Sequence, residues 1–443
     1  MTFPVVGSNI PSAYQISNSL RFNDNDSPYL SRTPSVASNR RTYTFSFWFK
    51  RGNIGSIQHF YTNQIDLLGI ESGDYIFFNF NGNASGGYAF VNTLLRDTSA
   101  WYHIVCAIDT TNATATDRLK LYLNGERLTP SYINNPSQNY ESAVNNTQIQ
   151  VIGKRQSNND RFLDGYLSEF VFIDGTAKSP TDFGEFDEDS GIWKPKQYAG
   201  TYGTNGFYLK FNNTGNLGED SSGNDNTWTP TNLSGTTDVT TDTPTNNFCT
   251  LNAIVEGQSN VTYSEGNLKA GESAGDLPSA KGTIAVSSGK WYWEGLLLGG
   301  NGAIAIGTDD MDASSYPHNS STSGDGWTYH YDGSGRTSTG SDITIGSTYT
   351  TNDIIGVALD MDNGTCKFYK NGTEQTTGSW SGLTAYGSIT PVFYLDQITW
   401  FANFGQEGSF GGNVTAQGNA DGNGFGDFYY APPSGYLALC TQN

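Results

Sequence analysis

Between Ile104 and Asp109 an apolar run, I-V-C-A-I-D, ends at an acid, and after a loop an alternating run, K-L-Y-L-N-G, carries the chain from Lys120 to Gly125. The pattern returns at Ile354: I-I-G-V-A-L-D ends at Asp360, a shorter loop follows, and K-F-Y-K-N-G closes at Gly372. Alternation at period two puts the apolar side chains on one face of a strand. Asn-Gly accepts positive φ at both central positions of a type I′ turn. Two hairpins of one design predict two copies of one antiparallel architecture.

The same alternation in Tyr43 to Phe49 (Y-T-F-S-F-W-F) places Phe45, Phe47 and Phe49 on one face and Thr44, Ser46 and Trp48 on the other. Further strands are predicted at Ser19 to Phe22, Tyr75 to Phe80 with an Asn81-Gly82 turn, Gln148 to Gly153, Tyr166 to Ile173 with Asp174-Gly175 closing that pair, and Phe207 to Phe211. The second half predicts strands at Thr283 to Ser287, Lys290 to Leu298, Ala303 to Gly307, Trp327 to Tyr331, Asp353 to Asp360, Thr365 to Lys370, Thr390 to Tyr394 and Ile398 to Phe404. Closely spaced strands without helical patterns predict sandwiches.

A chain of 443 residues exceeds one ordinary core. The texture divides it into an N-terminal arm (1–17), a first sandwich (18–211), a Gly-, Asn- and Thr-rich linker (212–250) and a second sandwich (251–443). Gly 53, Tyr 26 and Phe 25 beside 15% charged residues support an all-β class. Asp+Glu 43 against Lys+Arg 23 gives a net charge of −20, a field that repels phosphate backbones and anionic membranes. Nucleic-acid binding is therefore not expected, and with no run of 18 apolar residues no membrane insertion is expected either. The N-terminus shows no basic region followed by an apolar run, so no secretory signal is expected. Cys106, Cys249, Cys366 and Cys440 lie far apart with no zinc spacing and read as small core residues.

Two places carry the composition of a binding site. Trp48, a lone ring on the polar face of its strand, is a sugar platform or packs beneath a loop. Asp325, Trp327, Tyr329, Tyr331 and Asp332 gather rings and carboxylates, the pairing that stacks on sugar faces and accepts hydroxyl hydrogens. Alternation equally allows Trp327, Tyr329 and Tyr331 to face a core. Glu185-Phe186-Asp187-Glu188-Asp189 approaches the E-x-D-x-E of glycosidases on sandwich folds, but Asp189 stands where a Glu is required and loop residues flank it. Asp360-Met361-Asp362-Asn363-Gly364 reads as a turn, because Asn371 occupies the twelfth position that a calcium loop reserves for Glu. No enzymatic site is expected.

Phe45 to Phe49, Ala100-Trp101-Tyr102-His103-Ile104-Val105, Leu121-Tyr122-Leu123-Asn124-Gly125 and Gly165-Tyr166-Leu167-Ser168-Glu169-Phe170 resemble successive strands of a laminin-G-like, concanavalin A-like jelly roll. Lys290-Trp291-Tyr292-Trp293-Glu294, Gly356 to Thr365, and Ile389 to Tyr394 with Asn403-Phe404-Gly405 resemble a SPRY domain. The layout, with Asp220 to Pro230, Thr243 to Phe248 and the closing Pro432 to Cys440, is similar to tail-fibre-type virion proteins of marine bacterial viruses. The resemblance implies two tandem concanavalin A-like sandwiches in a non-enzymatic particle-surface protein. Its partners would be other virion proteins and host-surface polysaccharide, and it would act as a homo-oligomer. A capsid decoration or fibre-base protein is the rival reading, and a glycoside hydrolase a third. No cofactor is required, although the fold class admits a calcium ion held by loop Asp and Asn residues of the first sandwich.

Overall fold

The computed structural model describes residues 14–80, 87–255, 260–314, 325–337 and 342–443. Residues 1–13 of the expected arm and the Asn81-Gly82 turn lie outside them. The chain divides into two compact units, Ser8–Thr245 and a second that holds Asn246–Asn443.

The first unit is a sandwich of two eight-stranded sheets. Its front sheet runs Glu126–Arg127, Leu119–Leu123, Trp101–Asp109, Thr42–Arg51, Gly165–Asp174, Ser19–Phe22 and Val239–Thr240, with Phe207–Leu209 also paired to Gly165–Asp174. Its back sheet runs Tyr132–Asn134, Tyr88–Leu94, Tyr75–Asn79, Leu67–Ile70, Gln58–Thr62, Gln150–Ile152, Tyr29–Arg32 and Thr229–Thr231. Between the sheets lies a phenyl-rich core in which Phe47 stacks on Phe170 at 4.8 Å and meets Phe60 at 4.8 Å. Gln150–Ile152 and Gly165–Asp174 fall in opposite sheets, so Asp174-Gly175 does not close a hairpin between them. Long-range pairing overrides proximity in sequence.

The stretch 212–250, expected as a linker, is built into this sandwich: Thr229–Thr231 and Val239–Thr240 are edge strands of its two sheets. The D-S-S-G-N motif is equally structural. Asp220 accepts from the amides of Tyr208, Ser222 and Asn226, while Asn224 and Asn226 donate to the carbonyls of Gly203, Thr204 and Gly206. Every carboxylate oxygen is satisfied within the loop, which is why this composition folds tightly.

The second unit is a sandwich of nine and four strands. Lys290–Gly299 lies centrally between Ile354–Asp360 and Thr399–Asn403, and Ala303–Thr308 lies between Ile389–Tyr394 and Gly326–His330. Of Thr283 to Ser287, expected as a strand, only the bridge of Val286 to Ile389 forms. The motif T-N-N-F zips to the chain's end: Cys249 donates to the Leu439 carbonyl and Thr441 to that of Asn247.

The doubled hairpin repeats in atomic detail. Asn124 (φ 48) and Asn371 (φ 48) open their turns, followed by Gly125 (φ 85) and Gly372 (φ 77). Asn124 donates from its amide to the His103 carbonyl and accepts the His103 amide on Oδ1, at 2.9 and 2.7 Å; Asn371 does the same with Ile354, at 2.8 and 2.9 Å. Each turn glycine carries an aromatic lid: a Cβ on Gly125 would meet the Trp193 ring at 2.5 Å, and one on Gly372 the Tyr430 ring at 2.6 Å. Gly125→Ala and Gly372→Ala should each cost on the order of 1–3 kcal/mol, since both the left-handed backbone and the lid resist a methyl. A lowered urea midpoint in each variant is the expected result.

Candidate functional site

The second face of each large sheet is covered by the chain itself. In the first sandwich, residues 183–202 lay Phe183, Trp193, Tyr198 and Tyr202 over the front sheet, against Val105, Val171 and Tyr208 and against Trp48, Trp101 and Tyr166. Trp48 is 4% exposed and its ring lies 4.7 Å from that of His103. Trp193 donates to His103 Nδ1 at 3.0 Å, which leaves the Nε2 proton for Ser46 Oγ at 2.9 Å. Burial drives the His103 pKa down to about 3, so the ring is neutral. Trp48 thus packs beneath a strap and is no sugar platform.

Beside this stack lies a cavity of about 10 Å³, room for one water, lined among others by Ser46, His103, Glu169, Lys196, Tyr208 and Tyr14. Glu169 enters it because a bulge between Ser168 and Val171 inserts one residue, with Glu169 itself at φ 53. Tyr14 and Tyr208 donate to its carboxylate. Burial raises the Glu169 pKa, and the two hydroxyls and Lys210 oppose that rise. Among the described residues the pocket joins one acid to phenols and a neutral imidazole, with no second carboxylate lining it. Strand alternation alone does not mark Glu169, because its partner Tyr14 is distant in the chain.

The other predicted residues lie in the second unit, apart from Trp48. Trp327 is 6% exposed and Tyr329 fully buried, both in the core, with Trp327 edge-on to Tyr386 at 4.7 Å and Tyr329 donating to the Ser347 carbonyl. Tyr331 packs half-buried against the same core. The Asp325 carbonyl accepts the Thr308 amide at 2.9 Å, and the Asp325 amide donates to Thr308 Oγ1 at 3.0 Å. Asp332 closes a turn by accepting from Ser334 and pairing with Arg336 at 3.2 Å. Core packing and turn chemistry absorb this set, as strict alternation allowed.

The acidic stretch after Gly184 forms a hairpin, Gly184–Phe186 with Trp193–Pro195. Hydrogen bonds from Ser190 and then Lys194 hold the Asp187 carboxyl far below its ordinary range, and Glu185 lies 3.6 Å from the same lysine. A turn and an exposed ion pair account for these acids.

One rim of the first sandwich brings two carboxyls together. Asp164, 1% exposed, accepts the Asn53 amide on Oδ1 at 3.1 Å and is also hydrogen-bonded with Asp24. Asp24 accepts from Asn53 Nδ2 at 3.2 Å. Burial, and then the Asp24 carboxyl, push the Asp164 pKa up to about 8. Among the described residues no group of three or more His, Cys, Asp or Glu could hold a metal.

Comparison with known proteins matches residues 23–182 to the model of the concanavalin A-like lectin and glucanase superfamily, laminin G type, and residues 290–407 to the SPRY domain model. No curated protein matches. Among solved structures the chain is similar to the PSpry domain of TRIM65 (13% identity, 35% of this chain and 88% of that one, TM-score 0.29). It is also similar to the SPRY domain of human HERC1 (17%, 30% and 87%, 0.25) and to another human SPRY domain (14%, 32% and 94%, 0.26).

Proposed function

From a laminin G-like domain followed by a SPRY domain, a pairing that fits a non-catalytic binding role, we propose an adhesin-type surface protein of a bacterial virus particle. It binds host-surface polysaccharide or neighbouring particle proteins through the rims and outer connections of its sandwiches, and acts as a homo-oligomer in which weak contacts add. The observation that carries this reading is the strapping of both large sheets. Trp193 and Tyr198 cover one, and Phe428 and Cys440 pack on Tyr292 and Ala358 of the other, so the face where a substrate cleft would form is filled by the chain's own residues. The motifs D-S-S-G-N and T-P-T-N-N-F support the particle assignment as a resemblance.

A glycan array carrying host-derived polysaccharides, together with labelling on intact particles by electron microscopy, tests the reading. Binding and a tail position are expected. A position on the capsid lattice with no glycan bound would favour the assembly role instead.

Calcium is the proposed ion at the Asp24 and Asp164 rim, where it would neutralise the apposed carboxyls. Millimolar calcium should raise the melting temperature of the full chain, and Asp164→Asn should abolish that rise. An unchanged melting curve removes calcium from the proposal.

A further inference from the structure

Each sandwich has its entry tied to its exit. In the first unit the segment 14–20 runs antiparallel to 239–245, with Ser19 beside Thr240 and Leu20 beside Val239. Beyond that ladder the Ile16 amide donates to Thr245 Oγ1 at 3.0 Å, and the same hydroxyl donates to the Ile16 carbonyl at 3.2 Å. Asn18 Nδ2 donates to the Thr240 carbonyl at 3.4 Å, and Ser19 Oγ to that of Asp242 at 2.6 Å. The strand Gly165–Asp174 anchors the arm from the side. Ser168 Oγ donates to the Asn18 carbonyl at 3.0 Å, and Tyr14 donates to the Glu169 carboxylate carried by the bulge, 2.7 Å from Tyr208 Oη. Ile16 is 6% exposed, so the arm is seated in the sandwich.

The second unit repeats the arrangement with other residues. Its entry, 246–249, runs antiparallel to its end, 439–442: Phe248 bridges Cys440, the Cys249 amide donates to the Leu439 carbonyl, and the Thr441 amide to that of Asn247. The Asn247 amide donates to Thr441 Oγ1 at 2.9 Å and the Gln442 amide to Asn246 Oδ1 at 3.3 Å. Inside this zip Ala438 is fixed beside Tyr292 by parallel pairing and by its amide on Asp421 Oδ2 at 2.8 Å. In both units the first residues of the entry face the last residues of the exit. Antiparallel hydrogen bonds lie across their strands, so tension between adjacent ends acts along these bonds one at a time, starting at the open end. The ladders of the sheet cores meet that tension only after the clasps have parted.

We infer that the two clasps are a tension-release device: pulled between its ends, the chain gives first where 14–18 meets 241–245 and where 246–249 meets 439–442, while both sandwiches stay folded behind them. The barrier at the first clasp is the Tyr14 hydroxyl on the Glu169 carboxylate, a charge-assisted bond that breaks before Ile16 and Asn18 are freed. Each clasp lets out roughly 25–35 Å of extended chain, against about 700 Å for unfolding a sandwich of about 200 residues. A surface protein held at both ends thereby gains slack without distorting the rims of its sandwiches. The inference depends on no particular ligand and holds for a glycan adhesin and for an assembly protein alike.

Optical tweezers on the full chain, held by tags at its two ends, test it. Two short reversible steps of roughly 25–35 Å should precede any release of about 700 Å. Tyr14→Phe should open one of them about tenfold faster at a given force, the loss of one hydrogen bond to a charged acceptor, and leave the other unchanged. Thr441→Val should act on the other step alone. Phe60→Leu, in the core of the first sandwich, should lower the force of a long event and move neither short step. A first event of about 700 Å with no short step before it would overturn the inference. Short steps that Tyr14→Phe and Thr441→Val leave untouched would overturn it as well.

Discussion

Asp242→Asn should destabilise the first sandwich by about 3–5 kcal/mol, among the larger effects of any single conservative change in this chain. Lys50 Nζ and Asp242 Oδ2 meet at 2.7 Å with both side chains fully buried, and Trp101 Nε1 donates to Asp242 Oδ1 at 3.1 Å. The substitution takes the carboxylate charge from beside a buried ammonium that lies 5.9 Å from the Tyr166 ring centroid. Asn keeps an acceptor for Trp101, so the loss reports the charge rather than the tryptophan contact. Denaturant-dependent hydrogen exchange in the Thr42–Arg51 strand is the measurement. The double replacement Lys50→Met with Asp242→Leu should recover most of the loss, because an apolar pair of similar volume replaces a buried ion pair at little net cost. If the double variant is no better than the single one, Asp242 acts through backbone placement and not through its charge.

The same pair shows where sequence reading stops. Lys50 ends a strand whose alternation is plain, and Asp242 sits in a polar stretch that reads as linker; nothing local joins residues 192 positions apart. What was legible was local: period-two faces in Tyr43 to Phe49, and Asn-Gly turns whose positive φ values the structure repeats at Asn124 and Asn371. The all-β class and the tandem sandwiches followed from those. The straps were not legible, because Trp193 over Gly125 and Tyr430 over Gly372 depend on chain folding back from distant segments. For the same reason alternation alone leaves Trp48 open between platform and packing, since Trp193 and His103 reach it from other segments.

Glu294→Gln should gain on the parent protein by roughly 3 kcal/mol as pH rises from 4 to 8. Glu294 is fully buried at the centre of the second sandwich's large sheet and clasps the C-terminal strap. Its oxygens accept the amides of Tyr430 at 2.8 Å and Tyr429 at 2.9 Å, Tyr292 Oη at 3.2 Å and Asn403 Nδ2 at 3.3 Å. Burial outweighs these four donors and lifts its pKa from 4.5 to about 7. A pKa raised in the folded state means that the stability tied to this group is full below about 4.5 and is lost as pH climbs through about 7. The charged carboxylate is then the costly form, even though it is the better acceptor. Gln never ionises, and its NH2 in place of an oxygen that accepts two donors adds only a pH-independent offset, so the difference between the two proteins should move in favour of Gln as pH rises through about 7. Paired urea titrations of parent and variant across that range read the difference directly, since every other titrating group cancels. Parallel curves would mean that Glu294 titrates as an ordinary exposed acid, and that the strap over Tyr292 opens far more readily than its hydrogen bonds imply.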